Sequence, residues 1–348
     1  MRIAAVGRAL PDHYYDQKQL LKALKRVWSH RFHNAARLEQ LHQNVQVDGR
    51  HLALPIDEYE KLDSFTAAND AFVRCAVPLG ARALSDGLGQ TGLSPQAIDH
   101  LFCVSVTGIA TPSIDARLAN RMGLRRDLKR TPIFGLGCVA GAAGIARAAD
   151  YLRGHPDEVV ALLSVELCSL TLQQEDLSIP NLIASGLFGD GAAAVILTGS
   201  NLAGDGPEIL ATRSVFYPGT EHVMGWDVTA SGFRVILSGE VPQMALGIRP
   251  DVDDFLEDCG LGLGDIESFV CHPGGPRVLE AFERALDRPR EAFELTWKSL
   301  ARVGNLSSAS VLMVLGDTIA ERRPARGSYG LMISMGPGFC AELVLLRW

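Results

Sequence analysis

The sequence predicts an α/β protein made of two homologous halves that pack face to face. The first observation is that short apolar runs typical of buried strands alternate with helix-like segments along the whole chain. The second is an internal duplication, in which three motifs of the first half recur in the same order in the second. The third is length, since 348 residues are enough for two domain-sized halves, which we place at residues 1–200 and 201–348.

Three pairs of matching motifs carry the duplication: residues 98–103 with 266–271, 137–138 with 304–305, and 189–191 with 336–338. Cys138 and Asn305 occupy the same place in the second pair, and each precedes a run of small residues. In the first two pairs, the second motif follows the first by nearly the same number of residues. We therefore predict that helices beginning at Cys138 and Asn305 are equivalent and lie side by side at the centre of the protein.

The individual elements follow from apolar runs, helical spacing and turn residues. In the first half we predict strands at residues 2–7, 101–106, 159–165 and 192–197, helices at 17–38, 66–90, 113–123 and after Cys138, and a turn at 189–191. A Gly- and Pro-rich connection at residues 199–207 separates the halves. In the second half we predict strands at 209–216, 233–237 and 268–271, two final strands around a Gly-Pro-Gly turn, and helices at 243–258, 276–286 and 304–322.

Composition narrows the class of protein. The chain is 47% apolar and 21% charged, as in ordinary globular enzymes, and its net charge of −7 gives no general attraction for nucleic acid or anionic membranes. Seven cysteines without a CxxC pair argue against a zinc cluster or a disulfide framework and fit a reducing cytoplasm. The N-terminal apolar run is too short for a signal peptide, and no window approaches the roughly 18 apolar residues of a membrane span. We expect a cytoplasmic protein.

The segment 17–38 is predicted to be an amphipathic helix with a cationic face. It contains no acidic residue, and its basic residues include Lys22, Lys25, Arg26, Arg31 and Arg37. The simplest interpretation is a solvated surface helix. The functional interpretation is a patch that binds the phosphates of an anionic ligand such as coenzyme A, or an acidic carrier protein.

Cys138 is a candidate nucleophile. It follows an apolar run that stops at Gly137, and it precedes a helix rich in alanine and glycine. A cysteine at the N-terminus of a helix lies at the positive end of the helix dipole, which favours the thiolate over the thiol. The alternative is that Cys138 is a small core hydrophobe, because free cysteines are among the most buried residues.

His272 and Asn305 complete a candidate catalytic set. Among nine histidines, His272 is the one at the end of a strand and before a tight turn, and ligands bind at strand ends in open α/β sheets. An imidazolium stabilises a cysteine thiolate that accepts an acyl group. The N–H groups of His and Asn can then hold an enolate oxygen formed when a malonyl thioester loses carbon dioxide. A Cys-His-Asn protease uses the same residue types, although two small-residue helices favour a deep acyl pocket.

The stretches GLGCVAGAAG, VCHPGGPRVLEA, GNLSSAS and SMGPGF resemble the four signatures of type III polyketide synthases, the chalcone- and stilbene-synthase-like enzymes. The resemblance runs over nearly the whole chain, in order. It implies a thiolase-like fold with five αβαβα layers, a homodimer, and repeated decarboxylative condensation of malonyl-CoA onto an acyl-CoA starter. It assigns the catalytic triad to Cys138, His272 and Asn305. It implies coenzyme A thioesters as substrates, with no metal and no cofactor.

The same resemblance implies further site residues. Phe188 matches a gatekeeper phenylalanine between the coenzyme A tunnel and the active site, and Val235 stands where the second gatekeeper is usually phenylalanine, with Phe233 two residues away. Thr111 matches a loop residue that reaches into the partner subunit's active site. The cavity lining and the final loop are assigned to Cys168, Thr171, Ser307, Gly336, Pro337 and Gly338, and the contacts to coenzyme A phosphates to Arg37, Arg50 and Arg277.

Residues 221–242 resemble bacterial members that take long fatty acyl starters and make alkylpyrones or alkylresorcinols. A tunnel that buries a long chain gains about 0.8 kcal/mol per methylene, so it would select long starters. Three alternatives stay open. One is a tetrahydroxynaphthalene-type synthase primed by malonyl-CoA, one is a β-ketoacyl-carrier-protein synthase III, and one is a non-catalytic thiolase-fold protein. The starter could arrive on coenzyme A or on an acyl carrier protein.

Overall fold

The computed structural model describes residues 1–28, 34–202 and 204–348. Within these residues the chain forms thirteen β-strands and eleven α-helices. The strands are β1 (Arg2–Ala9), β2 (His13–Asp16), β3 (Gly49–Leu52), β4 (His100–Val104), β5 (Lys129–Ile133), β6 (Val159–Leu167), β7 (Asp190–Thr198), β8 (Glu208–Phe216), β9 (Met224–Thr229), β10 (Gly232–Leu237), β11 (Ile266–Cys271), β12 (Tyr329–Gly336) and β13 (Cys340–Arg347). The helices are α1 (Gln17–Trp28), α2 (Ala35–Asn44), α3 (Phe65–Thr91), α4 (Ile114–Met122), α5 (Ala140–Gly154), α6 (Ile179–Leu187), α7 (Val241–Leu246), α8 (Arg249–Asp258), α9 (Pro276–Ala285), α10 (Glu294–Val303) and α11 (Ser308–Glu321).

The sheet topology repeats between the two halves. Nine of the described strands run in the order β11-β12-β13-β8-β1-β7-β6-β4-β5. The pairing between β8 and β1 is one residue pair, Arg2 with Glu208, so two sheets meet edge to edge there. The order β4-β6-β7-β1 matches β11-β12-β13-β8, and in each set the first pair is parallel and the other two are antiparallel. The predicted duplication is confirmed.

Alternating side chains of the strands divide the protein into five layers. In β6, Leu162 packs with α5 and α11, whereas Leu163 packs with α3 on the other face. In β13, Val344 faces the central helices and Leu345 faces α8 and α9. The order of layers is therefore α3 with α4, the first sheet, α5 with α11, the second sheet, and α8 with α9. The predicted αβαβα arrangement is confirmed.

The two central helices approach each other through small residues, as predicted. A Cβ atom on Gly141 of α5 would overlap the backbone oxygen of Ser308 at the start of α11. The neighbouring residues Ala140 and Ala142 are fully buried. The close approach brings the N-terminal ends of α5 and α11, and the residues that precede them, into one region.

Several predicted elements need correction. The helix at 17–38 is two helices, α1 and α2, and Arg31 lies outside the described residues. The helix at 243–258 is also divided, because α7 ends before Gly247 and α8 begins at Arg249, with Pro250 in its first turn. The turn at 189–191 is wrong, since Asp190 begins β7, where its buried carboxylate accepts hydrogen bonds from the backbone N–H groups of Ala53 and Ser169. None of the helices in the described residues is long and apolar enough to cross a membrane.

Candidate active site

Cys138 lies between β5 and α5, in a single helical turn formed by residues Gly137–Val139. Gly137 has a φ of +55°, and a Cβ there would lie 2.5 Å from Cδ of Pro337, so this position favours glycine. The backbone oxygen of Cys138 accepts a hydrogen bond of 2.9 Å from the Ser334 hydroxyl on β12. The cysteine is therefore fixed at the strand-to-helix junction that the sequence predicts.

His272 directly follows β11, and its backbone N–H donates to the Ile333 oxygen at 2.9 Å. Ile333 and Ser334 are consecutive residues of β12, so adjacent positions of one strand hold His272 and Cys138. The imidazole is 4% exposed, and neither ring nitrogen has a hydrogen-bond partner among the described residues. Buried polar atoms without partners cost free energy. The ring therefore keeps two unused hydrogen-bonding positions, although His272 is not among the residues that line the cavity at Cys138.

Asn305 lies three residues before α11, which begins at Ser308 and not, as predicted, at Asn305. Its backbone N–H donates to the Leu187 backbone oxygen, and its backbone oxygen accepts from the Gly189 N–H. These two bonds hold the chain on both sides of Phe188. The side-chain Nδ2 donates to the Gly274 oxygen at 3.4 Å. Gly274 in turn donates to the His272 oxygen at 2.9 Å, which links the asparagine to the histidine loop.

Ser307 connects the cysteine to the asparagine. Its hydroxyl oxygen lies 3.7 Å from Sγ of Cys138, and its backbone N–H donates to Oδ1 of Asn305 at 2.8 Å. Ser307 adopts a φ of +50°, an unfavourable conformation for a residue with a side chain. Cys138, His272 and Asn305 are thus joined through two intermediate residues, Ser307 and Gly274.

Burial controls the charges of these groups. It raises the pKa of the Cys138 thiol to about 12, an effect that the nearby Ser307 hydroxyl opposes. It lowers the pKa of His272 to about 3, so the imidazole is neutral near pH 7. Burial therefore opposes the thiolate that the helix dipole predicts. A proton passed from Cys138 to His272 would leave the net charge of the site unchanged.

Glu166 is a buried carboxyl group next to the site that the sequence analysis missed. It accepts hydrogen bonds from the Val106 N–H at 3.1 Å, from the Thr107 hydroxyl at 2.9 Å and from the Ser308 hydroxyl. Burial nevertheless raises its pKa to about 7. An acidic residue inside the otherwise apolar run of β6 was the available signal, because such residues are rarely buried without a specific reason.

A cavity of about 310 Å³ opens at Cys138. Its walls include Ser307, Phe188, Phe233, Pro337 and Gly338, as well as the exposed side of Phe134. A second, smaller chamber of about 90 Å³ lies beside it. Its walls come from α1, from residues 50–60 and from residues 168–188, and they are mostly apolar but include the charged residues Arg26, Arg50 and Glu60. Four residues line both spaces and form the wall between them: Cys168, Phe188, Trp226 and Val235.

The two predicted gatekeeper positions both belong to this wall. Phe188 is bracketed by the hydrogen bonds of Asn305 described above, so its position is tied to that of the asparagine. Val235 of β10 is paired with Trp226 of β9, and Trp226 supplies aromatic bulk beside the small valine. Trp226 was missed, because its pairing depends on the β9–β10 hairpin, of which the sequence predicted only β10. Phe233 lines the cavity but does not reach the chamber.

The other predicted pocket residues divide between these spaces. Thr171 lines the small chamber, and Pro337 and Gly338 line the cavity. Gly336 has a supporting position, since a Cβ there would lie 2.7 Å from the backbone nitrogen of Val139. Thr111 is exposed and lines a separate surface groove with Asn69, so the described residues do not bring it to the cavity of the same chain.

The predicted phosphate contacts need one correction. Arg50 is 3% exposed, and its terminal nitrogens donate to the Gln17 side chain and to the backbone oxygens of Ser185 and Gly186. It cannot meet a phosphate at the surface, because it is buried under these partners. Arg37 on α2 and Arg277 on α9 are exposed. In the cationic segment 17–38, Lys25 pairs with Glu39. This pairing favours the interpretation of the segment as a solvated surface.

Comparison with known proteins agrees with this architecture. The family model for the N-terminal domain of chalcone and stilbene synthases matches residues 1–201, and that for the C-terminal domain matches residues 208–348. The chain belongs to the chalcone and stilbene synthase family. Two relatives are a 1,3,6,8-tetrahydroxynaphthalene synthase of Streptomyces peucetius subsp. caesius, 50% identical over 99% of this chain and 93% of that protein, and a putative chalcone synthase of Bacillus subtilis (strain 168), 35% identical over 99% of this chain and 98% of that protein.

A solved structure, that of 1,3,6,8-tetrahydroxynaphthalene synthase from Streptomyces coelicolor A3(2), matches with a TM-score of 0.93 and 31% identity, over 100% of this chain and 99% of that one. That synthase is a bacterial type III polyketide synthase. The predicted thiolase-like fold and the predicted type III polyketide synthase family are both confirmed. As a chalcone and stilbene synthase family member, the chain is an enzyme of the acyltransferase type that condenses malonyl-CoA units.

Proposed function

We propose that this enzyme primes with malonyl-CoA and builds a tetrahydroxynaphthalene-type pentaketide from malonyl units alone. The observation that carries the proposal is the 50% identity, over 99% of this chain, to a 1,3,6,8-tetrahydroxynaphthalene synthase. The structure of another synthase of that name covers the whole chain. This assignment is the alternative raised by the sequence, and the comparisons support it better than the long-chain acyl starter.

In the first step, Cys138 attacks the thioester carbonyl of the starter and releases coenzyme A. His272 accepts the thiol proton as the sulfur becomes nucleophilic. Both of its ring nitrogens are without a partner among the described residues, and a neutral imidazole has one nitrogen that can accept the proton. Burial lowers the pKa of His272 and so weakens it as a base. The proton is therefore held on the ring only while the negative sulfur or its acyl adduct lies beside it. The starter then remains as a thioester on Cys138 while the cavity receives the next malonyl-CoA.

In the extension step, the bound malonyl-CoA loses carbon dioxide and becomes an enolate, which attacks the Cys138 thioester. His272 and the Nδ2 group of Asn305 donate hydrogen bonds to the oxygen atom on which charge develops. The Nδ2 bond to Gly274 is long, at 3.4 Å, so that donor can turn to a ligand at little cost. Phe188 gives the carboxylate an apolar wall, which favours its loss as neutral carbon dioxide.

The dimensions of the cavity support a compact product. A volume of about 310 Å³ is at the lower end of the range of roughly 300–1,000 Å³ that small-molecule sites occupy. The small chamber supports a second candidate function, because its apolar wall residues, which include Leu20, Leu24 and Ile56, would suit an acyl chain. That candidate is the predicted alkylpyrone or alkylresorcinol synthase with a long fatty acyl starter.

Exposed arginines and a second subunit complete the proposed enzyme. Arg37 and Arg277 contact the phosphates of coenzyme A, for which their exposure is suited. The enzyme acts as a homodimer in which the loop at Thr111 completes the partner's cavity. An acyl carrier protein could deliver a starter to the same face, and the experiment that tests this is the comparison of carrier-bound and coenzyme A-bound malonyl groups.

Product analysis by mass spectrometry tests the proposed function. The purified enzyme receives malonyl-CoA alone, or malonyl-CoA with acyl-CoA starters of increasing chain length. We expect a tetrahydroxynaphthalene or its oxidation product from malonyl-CoA alone, with little change when acyl-CoA is added. Pyrones or resorcinols that form only with long acyl-CoA starters would replace the proposal by the second candidate, and a single β-ketoacyl product would contradict both.

A further inference from the structure

We infer that the small chamber behind Cys168 and Phe188, with Arg50 in its wall, is the binding site for the free carboxylate of a malonyl-derived starter. This inference rests on the proposed function. A malonyl starter differs from a neutral acyl starter in that its far end carries a negative charge. An enzyme that primes with malonyl units therefore needs a place for that charge during chain growth.

Arg50 is an incompletely paired buried cation. Its NH1 group donates to Oε1 of Gln17 at 2.7 Å and to the Gly186 oxygen at 2.6 Å, and its NH2 group donates to the Ser185 oxygen. All these partners are neutral, and Nε has no partner in the part of the chain that the structure describes. Asp190 is the carboxylate whose charge acts on Arg50, but the two form no ion pair. Arg50 therefore retains its positive charge in the chamber wall and keeps one unused donor, Nε, which is itself buried.

The surroundings strengthen the attraction between the Arg50 guanidinium and a carboxylate. Burial lowers the pKa of Arg50 to about 10, so the guanidinium is still protonated near neutral pH. The rest of the chamber wall is mostly apolar and includes Leu20, Leu24 and Leu52. Its charged residues are Arg26 and Glu60, which pair with each other at 2.6 Å. A charge interaction is stronger in such surroundings than in water, and a guanidinium is well suited to a carboxylate because it offers planar, paired donors.

The position of the chamber fits chain growth. It meets the cavity of Cys138 at the wall of Cys168, Phe188, Trp226 and Val235. Each extension adds two carbons at the sulfur end, so the starter's carboxylate moves away from Cys138 as the chain grows. The chamber, at about 90 Å³, is much smaller than the cavity of about 310 Å³. That space admits the acidic end of the chain and leaves the reactive carbonyl groups in the larger cavity.

Starter competition tests the inference. The wild type and the Arg50→Gln and Arg50→Lys variants receive malonyl-CoA with and without hexanoyl-CoA, and the malonyl-primed and hexanoyl-primed products are quantified. We expect Arg50→Gln to lower malonyl-primed product at least about tenfold relative to hexanoyl-primed product, since a hydrogen bond to a charged group contributes about 1.5–3 kcal/mol. Arg50→Lys should retain part of the malonyl priming, because it keeps the charge.

Two controls keep the test decisive. Arg288→Gln removes another guanidinium that donates to a backbone oxygen, that of Leu263, far from the site, and should leave the product ratio unchanged. If Arg50→Gln does not fold, Ala184→Phe fills the chamber without removing Arg50, and it should replace the pentaketide by shorter malonyl-primed products. An unchanged product ratio in a folded Arg50 variant, or full-length pentaketide from Ala184→Phe, would overturn the inference. Absence of malonyl-primed product in the wild type would instead overturn the proposed function.

Discussion

The Sγ of Cys138 lies 3.7 Å from the hydroxyl oxygen of Ser307, and Ser307 holds a backbone φ of +50° in that position. The same residue donates its backbone N–H to Oδ1 of Asn305 at 2.8 Å. That bond fixes the asparagine side chain so that its Nδ2 group, and not its oxygen, is available to an enolate. One strained residue therefore contacts both the proposed nucleophile, Cys138, and the proposed donor to the enolate, Asn305.

The strain at Ser307 predicts different effects for two small substitutions. Ser307→Ala removes the hydroxyl group that lowers the thiol pKa, so acylation of Cys138 should slow by about tenfold. Ser307→Gly loses the same hydroxyl but accepts the positive φ, so it should be about 1 kcal/mol more stable than Ser307→Ala. Urea unfolding and single-turnover acylation measure the two effects. Equal stability of the two variants would show that the backbone at this position is not strained.

Removal of the His272 imidazole should make the Cys138 thiol less reactive. Burial alone raises the pKa of Cys138, and His272 is the proton acceptor in the proposed pair. In His272→Gln, alkylation of Cys138 by iodoacetamide near neutral pH should therefore slow by about tenfold or more, and its rate should rise only at higher pH. Peptide mass spectrometry after timed alkylation gives the rate at Cys138 itself. Identical pH profiles in the variant and the wild type would contradict the pairing.

Glu166 predicts a pH-dependent difference in stability. Its folded pKa of about 7 lies above its ordinary value of 4.5, so its carboxyl group favours the folded state most when protonated. As the pH rises from about 4.5 to about 7, Glu166 ionises first in the unfolded chain. The wild type therefore loses stability, by about 1.4 kcal/mol per pH unit at most. Above about pH 7 the loss stops, because both states are ionised. In Glu166→Gln, the free energy of unfolding measured in urea should not fall with pH in this way. If the variant shows the same fall as the wild type, other groups are responsible for the pH dependence.

The contact between the central helices predicts that Gly141 cannot be enlarged. In Gly141→Ala the new methyl group would overlap the Ser308 oxygen, so the two helices must separate. We expect a loss of about 1–3 kcal/mol and a displaced Ser307, with lower activity. Gly154→Ala at the other end of α5 is the matched control, because a Cβ there meets no atom within 4 Å. It should be neutral or stabilising by up to about 1 kcal/mol. Equal effects of the two substitutions would contradict the close packing.

The sequence predicts the parts of the site that depend on local pattern. The apolar run that stops at Gly137, followed by small residues, places Cys138 at a strand-to-helix junction. The internal duplication then places Asn305 near it, because equivalent helices in two packed halves meet at the centre. His272 follows from its position at a strand end. These inferences hold because strand alternation, glycine turns and small-residue helices leave clear local signals.

Other parts of the site depend on contacts between distant segments. Arg50 looks like a surface cation in its polar stretch, but two of its hydrogen-bond partners, Ser185 and Gly186, belong to the end of α6, more than a hundred residues away. Trp226 reaches the chamber wall because it pairs with Val235 across a hairpin. The charge state of Cys138 is set by burial, which opposes the helix dipole. Such effects are tertiary, and no local pattern encodes them.

The central claim is that Cys138 carries the growing chain in malonyl-primed synthesis. The most direct test is peptide mass spectrometry of enzyme quenched within the first turnovers with malonyl-CoA alone. The account predicts malonyl-derived acyl groups on the peptide that contains Cys138, and their absence from Cys138→Ala. Acyl groups on Cys168 instead, or product formation by Cys138→Ala at the wild-type rate, would contradict it.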